Sequence, residues 1–130
     1  MIVLDASAVV EWVLRTEKGV RIGRWIKRFG GPLHVPHLLE LEVANALRRY
    51  VRRHATTSAR AEEAFQDMSA IRMTRHGHTL FLHRVWELRH HLTAYDAVYV
   101  ALAEALNAPL LTCDAKIAAA PGHRAIVEVV

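Results

Sequence analysis

Four acidic side chains stand where a hard cation and a phosphodiester could meet. Asp5 ends a short apolar run at residues 1–4, and Asp114 follows the apolar run 110–112. Asp96 lies three residues after Thr93 at the head of an Ala- and Leu-rich stretch, and Glu42 sits in a helical stretch on the side that carries Asn45 and Arg49. In an open α/β sheet, ligands bind beyond the carboxyl ends of the strands, so acids just past a strand or at the opening of the next helix are placed to do chemistry. Each also fits a plain structural role: Asp5 and Asp114 as helix N-caps, Asp96 as part of a capping box, Glu42 as a solvated helix carboxylate. Packed together, however, like charges raise one another's pKa and call for a cation, and oxygen-only donors suit Mg²⁺ or Mn²⁺. Such an ion lowers the pKa of a bound water and neutralises charge developing at phosphorus, which is what phosphodiester hydrolysis requires. That chemistry needs no nucleophilic side chain, in keeping with a chain that has no G-x-S-x-G elbow and no evident Cys–His arrangement.

The elements that must position these acids follow from apolar spacing and breakers. Residues 1–4 read as a strand buried on both faces, leading into a helix from Ser7. A second amphipathic helix spans 20–29 and stops at Gly30 and Gly31, and 32–35 form a second strand. Pro36 opens the most regular helix, which runs to about Arg53 with Leu39, Val43 and Leu47 on one face and places Glu42 two turns in. Thr57 and Ser58 cap a helix with Ala61, Ala64, Phe65 and Met68 on one side, followed by a brief strand at 71–73 and a helix over roughly 79–91. Thr93 caps a helix to about Leu106, ended by Asn107 and Pro109; then come a strand at 110–112, a short helix at 116–120 and a last strand at 125–130. Short apolar strands alternating with helices predict an α/β fold: a single domain over residues 1–130 with a mainly parallel central sheet flanked by helices.

At 130 residues and 52% hydrophobic content the chain can bury one core without disulfides or structural metal. Cys113 is the only cysteine, which excludes an internal disulfide and zinc sites built on cysteine pairs and fits a reducing, cytoplasmic setting. The opening apolar run is cut by Asp5 and has no basic leader, so neither export nor membrane anchoring is expected. The formal charge of +4 favours a polyanionic partner without identifying one.

Arg48, Arg49, Arg52, Arg53 and His54 crowd the end of the Glu42 helix. Cations there favour the helix C-terminus in any protein, and they are also placed to steer phosphates; Arg48, Arg49 and Arg52 are the candidate phosphate contacts. The nine histidines, among them His76, His78, His90 and His91, match no zinc motif and read as surface residues. Trp12, Trp25 and Trp86 read as core aromatics, and Cys113 as a small apolar residue ending a buried strand rather than a nucleophile.

Four stretches together carry a family resemblance: Ile2-Val3-Leu4-Asp5-Ala6-Ser7, Glu42-Val43-Ala44-Asn45-Ala46-Leu47, Tyr95-Asp96-Ala97-Val98-Tyr99-Val100-Ala101-Leu102-Ala103 and Leu111-Thr112-Cys113-Asp114. In order and content they resemble the signatures of bacterial and archaeal PIN-domain toxins, the VapC half of VapBC toxin–antitoxin pairs. The resemblance implies a PIN-like domain acting as an Mg²⁺- or Mn²⁺-dependent endoribonuclease on tRNA or rRNA. It implies Asp5, Glu42 and Asp96 as the main metal-site and catalytic acids, with Asp114 as a more variable fourth. Ser7, Asn45 and Thr112 match polar positions that support such a site through hydrogen bonds. A homodimer and a VapB-like antitoxin that neutralises the enzyme are implied as partners. The chain departs from the family at Ala6, often Thr or Ser, and after Asp114, where Ala115 and Lys116 stand instead of a further acid. That departure weakens the case for a second tightly held metal.

Competing readings make different demands. A haloacid-dehalogenase-type phosphatase wants a second Asp two positions after Asp5, where this chain has Ser7. A receiver-type signalling domain wants paired acids after the first strand and an acceptor Asp after the third. A catalytically silent PIN-like partner-binding module would keep the fold without turnover.

Overall fold

The structure, a computed structural model, describes residues 1–130. Five strands form one sheet: β1 (Ile2–Leu4), β2 (Leu33–Pro36), β3 (Met73–His76), β4 (Leu110–Thr112) and β5 (Val127–Val129). Their order is β3-β2-β1-β4-β5, and every pairing is parallel. Seven helices connect them: α1 (Ala6–Val13), α2 (Glu17–Phe29), α3 (Leu39–Arg52), α4 (Ser58–Ala70), α5 (Leu82–Glu87), α6 (Ala94–Leu106) and α7 (Ala115–Ala119). No helix is long and apolar enough to cross a membrane.

Ile2, Val3 and Leu4 are at most 1% exposed, so the central strand is buried on both faces and helices must cover both. α6 lies over β1, β2 and β4 and carries α5, while α1 packs against β4 and gathers α2, α3 and α4 around itself. α6 is buried continuously over its middle, every residue from Ala97 to Ala103; Thr93 caps its start and Asn107, in the left-handed conformation, ends it. Arg84 of α5 fastens that helix to α6 through Glu104 at 2.8 and 3.0 Å and reaches the Gly122 carbonyl at 2.8 Å.

Several boundaries differ from the sequence reading, each for a local reason. Pro36 closes β2 instead of opening a helix: the His37 N–H donates to the His76 carbonyl at 2.9 Å, carrying the β2–β3 pairing past the proline. α3 therefore begins at Leu39, and Glu42 lies in its first turn rather than two turns in. β3 falls at Met73–His76, not 71–73, because it is an edge strand whose Thr74 and Arg75 are exposed and carry no apolar run. α2 starts earlier, at Glu17, with Thr16 accepting from the Gly19 N–H at 3.0 Å; the polar first turn hides this cap from apolar periodicity. The region 79–91 divides into a 3-10 turn at Thr79–Phe81 and the short α5, and leaves Trp86 66% exposed instead of in the core. Trp12 and Trp25 are partly buried against the core, and Phe65 is exposed although Ala61, Ala64 and Met68 beside it are buried.

Among the histidines, His34 departs furthest from the surface reading. His34 is buried and its Nδ1 lies 2.9 Å from Nε2 of half-buried His76, because the β2–β3 register puts both on one face. Burial, followed by the neighbouring His76 charge, holds His34 below its ordinary pKa.

α1 and α2 approach so closely that a Cβ at Gly19 would fall 1.9 Å from the Glu11 carbonyl oxygen. In an open helix Gly→Ala gains up to about 1 kcal/mol. Here the sign reverses: Gly19→Ala is expected to cost about 2–3 kcal/mol through overpacking. A thermal melt should show the midpoint falling by roughly 5–10 °C; an unchanged or raised midpoint would refute the tight α1–α2 contact.

Candidate active site

The sheet changes direction of winding between β1 and β4: the chain proceeds from β1 to β2 and β3 on one side, and from β4 to β5 on the other. The crevice beyond the carboxyl ends of such a strand pair is where open α/β sheets bind ligands. Asp5 and Asp114 leave the sheet at that crevice, the first directly after β1 and the second two residues after β4.

Asp5 occupies the N-cap position of α1 but makes no side-chain cap bond. Its Oδ2 instead accepts from Ser7 Oγ at 2.5 Å and Thr112 Oγ1 at 2.7 Å, and Asp5 is 6% exposed. Those hydroxyls are themselves oriented by the main chain: Ser7 Oγ accepts from the Cys113 N–H at 3.0 Å, and Thr112 Oγ1 from the Asp114 N–H at 2.9 Å. The ends of β1 and β4 are thus laced together around one carboxylate oxygen. Asp114 does cap α7, its Oδ1 accepting from the Lys116 N–H at 2.9 Å.

Glu42 projects from the first turn of α3, where Oε2 accepts from the Tyr99 hydroxyl at 2.5 Å. Tyr99 is fully buried in α6, and burial together with the facing Glu42 charge pushes its pKa far up, so it serves as a permanent donor. Asp96 sits in the first turn of α6, its N–H capped by Thr93 Oγ1 at 3.2 Å. Asp5, Glu42 and Asp114 share one pattern: a single carboxylate oxygen accepts the internal hydrogen bonds and the other accepts none.

All four acids line one cleft of about 400 Å³, together with Glu11, Lys18, Arg49, Tyr50 and Cys113. Burial pushes the Glu42 carboxyl above its ordinary range; the charges of Asp5 and Asp96 add to this, and the Tyr99 bond and Arg49 oppose it. Burial likewise raises Asp96, with Asp5 and Asp114 adding and the Thr93 hydroxyl and Lys116 opposing. The donor set fits a hard divalent cation: oxygen only, mutually repelling, and pre-oriented by hydroxyl groups. No three acidic side chains converge closely enough to ligate one ion by themselves. Mg²⁺, which keeps several waters and takes one or two carboxylates, needs no tighter convergence.

Glu11 was not singled out by sequence, having no strand end or capping motif beside it. It is a fifth carboxylate in the cleft, but both its oxygens are engaged, one by Tyr50 at 3.0 Å and the other by Thr16. Glu11 therefore braces the cleft wall. Tyr99 was legible only as part of a motif, since nothing in its spacing reveals its bond to Glu42. Of the expected supporting residues, Ser7 and Thr112 bond Asp5, whereas Asn45 bonds none of the carboxylates and opens onto an adjoining groove with Glu42 and Arg49. Arg49 lines the acidic cleft, and Arg52 continues its stripe of α3 one turn on. Arg48 points elsewhere, bordering the α3–α4 depression with Ser58, Glu62 and Phe65. Cys113 is half-buried, and burial raises its thiol pKa, which argues against a nucleophilic thiolate.

A family model described as PIN domain matches residues 2–122. Ribonuclease VapC12 of Mycobacterium tuberculosis is 37% identical over 130 residues, spanning 100% of this chain and 99% of that protein. Ribonuclease VapC9 of the same organism is 39% identical over 117 residues, 90% of this chain and 88% of that protein. Among solved structures, PAE2754 from Pyrobaculum aerophilum superposes with a TM-score of 0.72 at 24% identity, covering 98% of this chain and 83% of that one. VapBC2 from Rickettsia felis, solved with a DNA fragment from its promoter, superposes with a TM-score of 0.69 at 14% identity, covering 100% and 99%. Both superpositions establish the fold.

Two predictions follow from the geometry. Tyr99→Phe keeps the buried ring and deletes the hydroxyl that holds Glu42; loss of such an outer partner should weaken Mn²⁺ binding about tenfold by calorimetry, and unchanged affinity would remove Tyr99 from the site. Raised carboxyl pKa values mean the native state holds more protons than the unfolded chain between the ordinary carboxylate range and the raised values, so metal-free stability falls as pH rises through that window. Asp96→Asn should therefore raise the metal-free melting temperature at neutral pH, by roughly 2–4 °C for about 1 kcal/mol. The difference from wild type should shrink as pH drops towards the carboxylate range; a lower melting temperature for the variant would contradict the repulsion.

Proposed function

On the premise that the chain belongs to the PIN-domain family, its model covering nearly the whole length, we propose that it is a divalent-metal-dependent endoribonuclease, the toxin partner in a VapBC pair. The observation that carries this reading is the convergence of Asp5, Glu42, Asp96 and Asp114 on one cleft at the winding reversal of the sheet. Residues 1–130 serve in this reading as one PIN domain. Relatives named as VapC ribonucleases at 37–39% identity support the activity.

Asp5, Glu42 and Asp96 would hold the ion, Mg²⁺ or Mn²⁺, one or two of them directly and the others through its waters, with Asp114 as a more variable fourth acid. Bound there, it would supply a water of lowered pKa and neutralise charge on the scissile phosphate. The chain's own residues do the positioning. Ser7 and Thr112 keep one Asp5 oxygen occupied and so present the other to the cleft; Tyr99 does the same for Glu42. Arg49, which lines the cleft with the acids, offers a guanidinium to a phosphate oxygen, and Arg52 extends that positive edge. Arg48, which faces away, has no part in it.

The VapBC2 structure supports a VapB-like antitoxin as protein partner, and a homodimer is part of the same reading. The receiver-type alternative fails on strand order: receivers wind 2-1-3-4-5, whereas this sheet runs 3-2-1-4-5. A silent partner-binding module would share the fold but not the turnover.

Purified, antitoxin-free protein incubated with pooled tRNA and rRNA should yield discrete products with Mg²⁺ or Mn²⁺ and none with EDTA. Asp96→Asn should lower cleavage by at least about 10²-fold, the scale lost with a charge-stabilising group. Folded wild-type protein that cuts neither pool with either metal would favour the silent module.

A further inference from the structure

Beside the acidic cleft runs a second groove of about 420 Å³, lined by Leu38, Leu41, Glu42, Asn45, Arg49 and Tyr95. It shares Glu42 and Arg49 with the cleft, so a chain whose phosphate lies at the acids continues directly into it. Its volume falls in the range of small-ligand sites, about 300–1,000 Å³. We propose that this groove is a nucleobase subsite, which takes one unstacked base of single-stranded RNA next to the scissile phosphate. The inference rests on the ribonuclease reading and adds what holds the substrate in register.

Three side chains without a polar or aromatic partner in the protein meet there. The Tyr95 side chain is 65% exposed, pairs with no other ring and no hydrogen-bonding group, and shares the groove with exposed Leu41, so the apolar surface there is a patch and not a lone side chain. The Asn45 amide, a donor and an acceptor side by side, bonds nothing in the protein, and Arg49 forms no ion pair within 4.0 Å. Leu38 and Leu41 supply an apolar floor and rim, Leu41 being 71% exposed.

An aromatic face, a base-reading amide and a guanidinium are the means by which proteins hold unpaired nucleotides: stacking is sequence-tolerant, edge bonds select, and the cation takes the phosphate. Paired RNA presents no free base face to such a platform. Placement on helices makes the subsite rigid. Tyr95 precedes Asp96 in the first turn of α6, and Asn45 and Arg49 follow Glu42 at three- and seven-residue spacing on α3. The base platform and the metal-site acids are thus fixed to one another by the same two helix starts.

The test uses the full chain and a labelled single-stranded RNA hexamer, with affinity read in the uncleaving Asp96→Asn background and cleavage read in the otherwise wild-type protein. Tyr95→Ala should weaken binding roughly 5- to 100-fold, the range for loss of one stacked base. It should also lower kcat/KM in parallel while leaving the salt dependence unchanged. Tyr95→Phe, which keeps the stacking face, should stay within about twofold of the parent, and Arg49→Ala should instead reduce the salt slope by about one. An abasic nucleotide at the occupied position should erase the Tyr95 effect. Tyr95→Ala that melts like its parent and binds and cleaves RNA unchanged would overturn the subsite while the ribonuclease reading stands. So would a Tyr95→Ala effect confined to antitoxin binding. Wild-type protein that neither binds nor cuts RNA with Mg²⁺ or Mn²⁺ would overturn both.

Discussion

The molecule is organised around one unfavourable arrangement: carboxylates brought out of bulk water within reach of one another's charge. Desolvation and mutual repulsion both raise Glu42 and Asp96, so the metal-free fold holds these groups against their electrostatic preference. The surrounding structure supplies the compensation. Hydroxyls from Ser7, Thr112 and Tyr99 satisfy one oxygen each of Asp5 and Glu42, and the apolar core that anchors those hydroxyls lies directly beneath. Tyr99 shows how the two are joined, since its ring belongs to the core of α6 while its oxygen belongs to the site.

The sheet topology dictates where this arrangement can stand. Only at the boundary between β1 and β4 do two neighbouring strands send their chains to opposite sides, opening a crevice that side chains from four separate segments can enter. Helices deliver the remaining groups. α3 acts as a graduated edge: Glu42 sits at the cleft, Asn45 and Arg49 face the adjoining groove, and Arg52 extends the line, while Arg48, one residue out of phase, faces the α4 side. A cluster of arginines close in sequence is therefore split by helical periodicity into groups with different surroundings.

What could be read in advance was whatever depends on local pattern. The strands at Ile2–Leu4 and Leu110–Thr112 are unbroken apolar runs, and the acids that follow them were identifiable from that placement, as was the Thr93-capped helix carrying Asp96. Features that depend on pairing were hidden. β3 is an edge strand with two exposed residues, Pro36 belongs to β2 only because His76 lies opposite it, and His34 is buried because β3 brings His76 against it. The same holds within the site. Glu11 carries no motif and enters the cleft because α1 turns it towards Tyr50 and Thr16, and the link between Tyr99 and Glu42 spans 57 positions. Periodicity identifies which face of a helix is apolar; it does not say which partner that face will meet.

The bond between Asp5 and Thr112 joins residues 107 positions apart, and β1 lacks one of its two neighbours until β4 has been made. Ribosomes deliver the chain from its amino end, so Asp5, Glu42 and Asp96 are all synthesised before the strand that completes their setting. Until β4 has been made, the polypeptide carries Asp5, Glu42 and Asp96 without the strand that borders their cleft. The order of synthesis therefore makes the meeting of β1 with β4 a late event, and the hydroxyl of Thr112 reaches Asp5 only after three of the cleft's acids have already been made.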